Sequence, residues 1–385
     1  MTTSDIGALI AAAGDHVRHD RTLPAEMYTS AEFFATESRW VFQKSWVPVC
    51  RVPDLLAAGA GYTPKVVCGV EVVVTVDEGQ RIRVFLNVCR HRGMLLADRP
   101  QQGKKLVCGY HRWSYRLDGE PAGLPLVSRE VDRARCRLHP VRHETWQGWL
   151  FVNLAGDARS LTDEISGLHE VVDDVGLPTM LTAASREFVS TWNWKVMWEN
   201  YNEFYHHLGT HRDTLEPLLP AATASTLDNH GEAWSCTTVP CTEQYLSMQP
   251  LTDHRRTPDM ALFSVFPLLC AGWQPGSAFW MEIIPEDVVR HKVVWHLLVP
   301  PERMDDPKLE TEITRVMDGL GAIHDEDMKS CTLVQRGLSS ALNTSGNLTE
   351  LDKPISQMHR WLVGLLEHLS KDDPSCGGSG RQRSA

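Results

Sequence analysis

Cys89-Arg90-His91, then sixteen residues, then Cys108-Gly109-Tyr110-His111: the reading of this stretch decides the fold of the first half of the chain. Each short cluster brings one thiol and one imidazole, so together they can close a single metal centre from the two ends of a loop-sized spacer. Two Cys and two His also suit tetrahedral zinc, but structural zinc sites usually pair Cys with Cys and His with His. One Cys and one His per cluster suits a [2Fe–2S] centre in which the cysteines hold one iron and the histidines the other. The surrounding pattern is that of short antiparallel strands. Residues 66–76, the turn Asp77-Glu78-Gly79-Gln80 and residues 82–88 read as a hairpin leading into the first cluster. Residues 146–153 read as the last strand of this β domain, and the polar stretch 155–163 as its boundary.

The flanks carry a resemblance. Phe85-Leu86-Asn87-Val88-Cys89-Arg90-His91-Arg92-Gly93 and Cys108-Gly109-Tyr110-His111-Arg112-Trp113-Ser114-Tyr115 resemble the cluster loops of Rieske-type oxygenases. The ligands implied are Cys89, His91, Cys108 and His111.

The chain has 385 residues, more than such a module needs, so most of it is left to use the electrons. The composition, 42% apolar and 23% charged, is that of a globular protein, and no run approaches the roughly 20 apolar residues of a membrane span. A net charge of −11 argues against nucleic-acid binding, which runs on basic patches. The ten cysteines show no disulfide framework, and free thiols beside an iron–sulfur site imply a reducing compartment, so the expected location is cytoplasmic. No Gly-rich nucleotide fingerprint is present. With no evident site for NAD(P)H or flavin, the electrons are expected to come from another protein.

A second polar run, Asn193 to His211, reads as a helix over residues 194–208. On a helix Asn200, Glu203 and His206 or His207 share one face, which is not a packing face. His207 and His211 are spaced i, i+4, as one continuous helix wants; His206 and His211 are spaced i, i+5, which needs the helix to end, and Gly209 is placed to end it. A non-haem Fe(II) site takes two His and one carboxylate. The third ligand must come from farther on. Asp327, Cys331, Val334 and Leu338 fall on one stripe of the helix predicted over residues 307–336, with a break near Gly319–Gly321, whereas Asp325 shares its face with Lys329. The rival classes are a Rieske electron carrier without catalysis and a zinc-stabilised interaction protein; neither needs a second His/His/Asp set.

Glu-Asn-(two residues)-Glu-x-Tyr-His-(four residues)-His, at Glu199–His211, resembles the mononuclear iron segment of the catalytic α subunits of Rieske non-haem iron oxygenases, over residues 30–370. That resemblance implies His206 and His211 as ligands, and Glu326-Asp327 before Val-Gln-Arg-Gly-Leu gives Asp327 as the third. It implies an α+β fold: a Rieske domain (46–155) and a helix-over-antiparallel-sheet, helix-grip catalytic domain (162–371), with an N-terminal helical segment (1–45) packed on the latter and a disordered tail (372–385). It implies a homotrimer fed by a flavin/iron–sulfur reductase, in some members through a ferredoxin, with Glu203 bridging a cluster histidine of one subunit and an iron histidine of the next. Asn200 is expected to line the iron. Glu at position 203 is the habit of the choline, betaine and carnitine branch, which makes hydroxylation of an N-methyl or quaternary ammonium compound the leading expectation. Phe204 and His207 depart from that branch's Glu-Cys-Tyr-His-Cys. Hydroxylation of an arene or aromatic acid is the alternative. Pocket walls are expected around Phe263, Phe266, Trp273, Phe279, Trp280 and Trp295.

Overall fold

A computed structural model describes residues 3–127, 131–172, 175–248 and 259–372. The chain divides into two compact units. The smaller comprises Gln43–Leu161 with Leu177–Leu181; the larger comprises Met1–Phe42, Thr162–Gly176 and Thr182–Ala385.

The smaller unit is built from antiparallel strands in small sheets. One orders as Ile82–Leu86, Val70–Val76, Gly61–Val67 and Gln101–Gln102. A second is the meander Lys105–Val107, Ser114–Arg116 and Pro121–Gly123, and a third sets Val47–Arg51 beside Trp149–Asn153 and Arg142–Trp146. Two expectations are corrected here. Residues 66–76 are not one strand: Cys68 and Gly69 both take positive φ (48° and 79°) and turn Val67 back onto Val70. Residues 146–153 are likewise the end of one strand and the whole of the next, joined at Gln147-Gly148 (φ 48° and 80°). Such two-residue turns match the strand twist, and glycine supplies one of the left-handed positions. Val dominates the first stretch and Trp, Leu, Phe and Val the second, so hydropathy alone runs straight through the turns.

The core of this unit gathers Val73, Phe85, Leu106, Tyr115 and Leu138 around Cys89 and Cys108. The cluster cysteines are therefore core residues at the roots of their loops.

The larger unit carries a seven-stranded antiparallel sheet ordered Leu181–Ser190, Arg290–Val299, Ser277–Asp287, Leu269–Gln274, Asp259–Val265, Trp234–Pro240 and Ser225–Thr226. The apolar run 261–270 spans two of these strands rather than one, because Phe266-Pro267 interrupts it and Pro cannot donate to a ladder. Helices Trp194–Asn202, Leu309–Leu338 and Lys353–Asp372 belong to the same unit. The N-terminal helix Thr3–Arg18 packs on Lys353–Asp372.

Leu309–Leu338 runs unbroken for 30 residues, against the expected break at Gly319–Gly321. Gly321 instead makes room for Arg186, whose guanidinium a Cβ there would strike and whose Nη1 donates to the Met317 carbonyl. Its buried stripe is Met317, Gly321, His324, Asp327, Cys331 and Gln335; Val334 is exposed, so Gln335 replaces it on the expected stripe. Among the described residues no helix is long and apolar enough to cross a membrane, and the nine described cysteines are free thiols. The expected disordered tail lies outside the described residues, apart from Asp372, which ends the last helix.

Candidate metal centres and active site

In the smaller unit the two cluster loops share one backbone pattern. Cys89 N–H donates to the Met94 carbonyl and Gly93 N–H returns to the Cys89 carbonyl; Cys108 N–H donates to Trp113 and Arg112 N–H returns to Cys108. Gly93 and Arg112 hold matching left-handed positions (φ 76° and 61°). Paired knuckles result, with the thiols turned inward and the imidazoles outward. Cys89 and Cys108 are buried, whereas His91 and His111 are exposed with ring centroids 4.6 Å apart. His91 stacks on Trp113 at 4.7 Å. Tyr115 Oη lies 3.3 Å from the Cys89 sulfur and accepts the Arg90 N–H at 3.0 Å. Burial first, then the neighbouring Cys108, push the Cys89 thiol above its ordinary pKa. Two unlinked buried thiols facing two adjacent imidazoles fit a cluster held by sulfur on one iron and nitrogen on the other.

In the larger unit the His-bearing segment is shaped by how its helix stops. Asn193 caps the start, its side chain accepting Lys195 N–H at 3.0 Å. The helix ends at Asn202, whose amide turns back to the Trp198 carbonyl at 2.7 Å and accepts a hydrogen bond from Ser264. Glu203 is then extended (φ −124°, ψ 158°), and a single 3₁₀ turn, Tyr205–Leu208, follows. The continuous helix expected to residue 208 does not form, and Glu203 does not meet His206 through a shared helical face. It meets it by capping: Glu203 Oε2 accepts His206 N–H at 3.0 Å, and Oε1 accepts the ring Nδ1–H at 2.8 Å.

His206, His211 and Asp327 converge, with one donor atom from each lying within 4.8 Å of the others. His211 Nε2 is 2.9 Å and His206 Nε2 3.6 Å from Asp327 Oδ1, which also accepts from Asn200 Nδ2 at 2.9 Å. Burial pushes the Asp327 carboxyl up, but the His211 hydrogen bond and both imidazoles outweigh it and hold it below its usual range. His211 Nδ1 donates to Glu326 at 2.6 Å. Asp325 is not in this group. His207 is turned away: its Nδ1 donates to the Leu219 carbonyl at 3.0 Å, and burial, with His206 beside it, lowers its pKa to about 3.

The triad opens onto a cavity of ≈ 630 Å³. Tyr201, Phe204, Tyr245, Phe279, Trp295, Met197 and Met260 wall it. Of the expected aromatic lining, Phe279 and Trp295 are there; Phe263, Phe266 and Trp280 are buried in the core instead, and half-buried Trp273 is not among the lining residues either. Tyr201, Phe279 and Trp295 contact one another edge-on or tilted at 5.6–6.4 Å. Sequence reasoning missed Tyr245 and Leu218-Leu219, which carry no periodic signal, and gave Glu326 no role although it adjoins Asp327.

Two family models match the chain: the Rieske [2Fe-2S] domain over residues 45–143 and the ring hydroxylating alpha subunit (catalytic domain) over residues 177–368. The glycine betaine monooxygenase oxygenase subunit of Chromohalobacter salexigens is 33% identical over 230 residues, 57% of this chain. That match spans about half (51%) of the relative's length. The carnitine monooxygenase oxygenase subunit of Acinetobacter baumannii is 28% identical over 90% of this chain and 93% of its own. Among solved structures, a quaternary ammonium Rieske monooxygenase aligns with TM-score 0.79 at 20% identity, covering 93% of this chain and 98% of that one, a likeness of fold.

Proposed function

This chain belongs to the catalytic α subunits of the Rieske non-haem iron oxygenases, and we propose that it is the terminal oxygenase of a multicomponent system that hydroxylates an N-methylated, quaternary ammonium compound. The observation that carries this reading is the convergence of His206, His211 and Asp327 at the floor of an aromatic-walled cavity. Two imidazoles and one carboxylate leave coordination positions open, the ligand set of Fe(II) sites that activate O₂. We assign Cys89, His91, Cys108 and His111 to the [2Fe–2S] cluster and His206, rather than His207, to the mononuclear iron.

When bound, the iron supplies O₂ activation and the cluster supplies a further electron. The chain's own residues prepare the site. Glu203 and Glu326 accept the Nδ1–H of His206 and His211, so each Nε2 lone pair is free to ligate. Asn200 holds the Asp327 carboxylate in place. Tyr201, Phe204, Phe279 and Trp295 line the cavity and exclude water from it, and aromatic rings attract a cation by about 2 kcal/mol where desolvated. Hydroxylation of an N-methyl carbon leads to loss of that carbon from nitrogen. The electrons reach the chain from NAD(P)H through a flavin/iron–sulfur reductase, with or without a ferredoxin, and a homotrimer in the cytoplasm is the setting in which Glu203 links neighbouring subunits.

One observation favours a second reading, an aromatic substrate. Away from the triad and Glu203, the charged residues lining the cavity among those described are Asp213 and Arg315, both exposed. Metal analysis and oxygen uptake separate these. About three iron per chain with a Rieske spectrum is expected, and with a reductase added, N-methylated amines should give oxygen uptake matched by formaldehyde release. Uptake with aromatic acids alone transfers the assignment to ring hydroxylation; zinc without iron sinks both.

A further inference from the structure

The His211 ring is engaged on both nitrogens by consecutive residues of one helix. Nε2 lies 2.9 Å from Asp327 Oδ1 and Nδ1 lies 2.6 Å from Glu326 Oε2. Successive side chains leave a helix about 100° apart, so a ring is reached by both only where it lies against the helix between them. Asp327 takes the buried side of that contact, while Glu326 keeps 29% of its side chain exposed. Glu326 is itself steered: Thr214 Oγ1 donates to the same Oε2 at 2.8 Å. Thr214 also lines the substrate cavity.

We propose that Glu326 is a positioning residue for the mononuclear iron site, with Thr214 holding its carboxylate in register. A neutral imidazole carries one N–H, and the hydrogen bond on one nitrogen decides which nitrogen keeps a lone pair. Glu326 accepts Nδ1–H and so leaves Nε2 of His211 free beside Asp327. A carboxylate in that place also raises the basicity of the ligand nitrogen. The two histidines are supported differently. Glu203 orients His206 from the extended residue just ahead of its turn, whereas Glu326 orients His211 from the helix that bears the third ligand. A single helical step, Glu326-Asp327, thus sets two of the three donors. The inference rests on reading His206, His211 and Asp327 as an iron site.

The test uses full-length protein with its cluster intact and the mononuclear site emptied by a chelator. Fe(II) affinity is measured by chelator competition, and the ligand-field absorption of Co(II) loaded into the same site is recorded. Variants are Glu326→Ala, Glu326→Gln and Thr214→Val, with Asp327→Ala as the benchmark for losing a ligand. Glu326→Ala is expected to weaken Fe(II) binding by about 10–100-fold and to shift the Co(II) bands, while the EPR signal of the reduced cluster stays unchanged. Glu326→Gln should fall between, because an amide oxygen still accepts Nδ1–H, and Thr214→Val should shift the bands less. Wild-type affinity and unshifted bands in Glu326→Ala overturn the assignment. Should Glu326→Ala lose the cluster signal as well, Glu326→Gln, equal in size, decides by the same two readouts. If Asp327→Ala loads metal like the wild type, the iron site itself is wrong and this inference falls with it.

Discussion

Glu203 concentrates what single residues do in this molecule. Its two carboxylate oxygens serve one histidine, one capping the His206 backbone and one accepting from the ring, and the side chain is buried. The sequence showed the partnership but not its geometry. Three residues' separation is a helical spacing, yet the contact is made across the end of the helix, where Asn202 terminates it and Glu203 is extended. Periodicity cannot signal this, because the break is set by tertiary bonds from Asn202 to Ser264 and Cys270. In the proposed role Glu203 also couples the iron histidine to a neighbouring subunit's cluster. Glu203→Gln keeps size and removes charge, so it should retain both metals and a cluster that dithionite reduces, while turnover with the reductase falls by about 10²-fold or more, as loss of a ligand-orienting partner allows. Measuring metal content, cluster reduction and turnover on one preparation checks this. Near-normal turnover would leave Glu203 as a local cap only.

Elements were legible where one helical period carried the reading, as in Leu309–Leu338, expected over residues 307–336 and bearing Asp327 and Cys331 on its buried stripe. They were illegible at tight turns between apolar strands. Gln147-Gly148 is the instructive case. The turn must place two residues at positive φ, and it must also leave room for Arg51, whose buried guanidinium lies over Trp149 and donates to the carbonyls of Gln147, Leu177 and Met180. Burial lowers the Arg51 pKa only to about 10, so it stays charged. A Cβ on Gly148 would stand 2.6 Å from that guanidinium, whereas a Cβ on Gly69, at nearly the same φ, meets nothing within 4 Å. Gly69→Ala should therefore cost only the backbone strain, about 1–3 kcal/mol. Gly148→Ala should cost that and the displacement of a buried cation in addition. Urea unfolding followed by the visible absorption of the cluster compares them. Equal losses would mean that Arg51 moves aside freely and that its placement does not hold the hairpin.

Over the whole molecule, the proposed ligand sets stand out in sequence because each is nearly local: four residues within 23 positions for the cluster, and two histidines five apart for the iron. The place of the N-terminal segment on the larger unit came with the family resemblance; local composition does not record which distant segments share a core, and the return of Leu177–Leu181 to the smaller unit was not read from it. That assembly buries imidazoles whose protonation the fold resists. Burial lowers His207 to about 3 and His291 to about 4, and it lowers His324 as well. Unfolded, each titrates near 6.5. Because the folded pKa lies below the unfolded one, these groups leave stability untouched above about pH 6.5 and erode it as pH falls toward the folded values, when the unfolded chain binds protons that the native chain refuses. The slope is about 1.4 kcal/mol per pH unit for each imidazole. For His291, remote from the proposed ligands and donating through Nδ1 to the Trp192 carbonyl at 2.9 Å, the loss by pH 4 is on the order of 3 kcal/mol. Urea midpoints read by tryptophan fluorescence between pH 7.5 and 5 should thus fall with acid, and His291→Leu should fall less steeply by one imidazole's share. Parallel slopes for the variant and the wild type would show that His291 takes up its proton in the folded state.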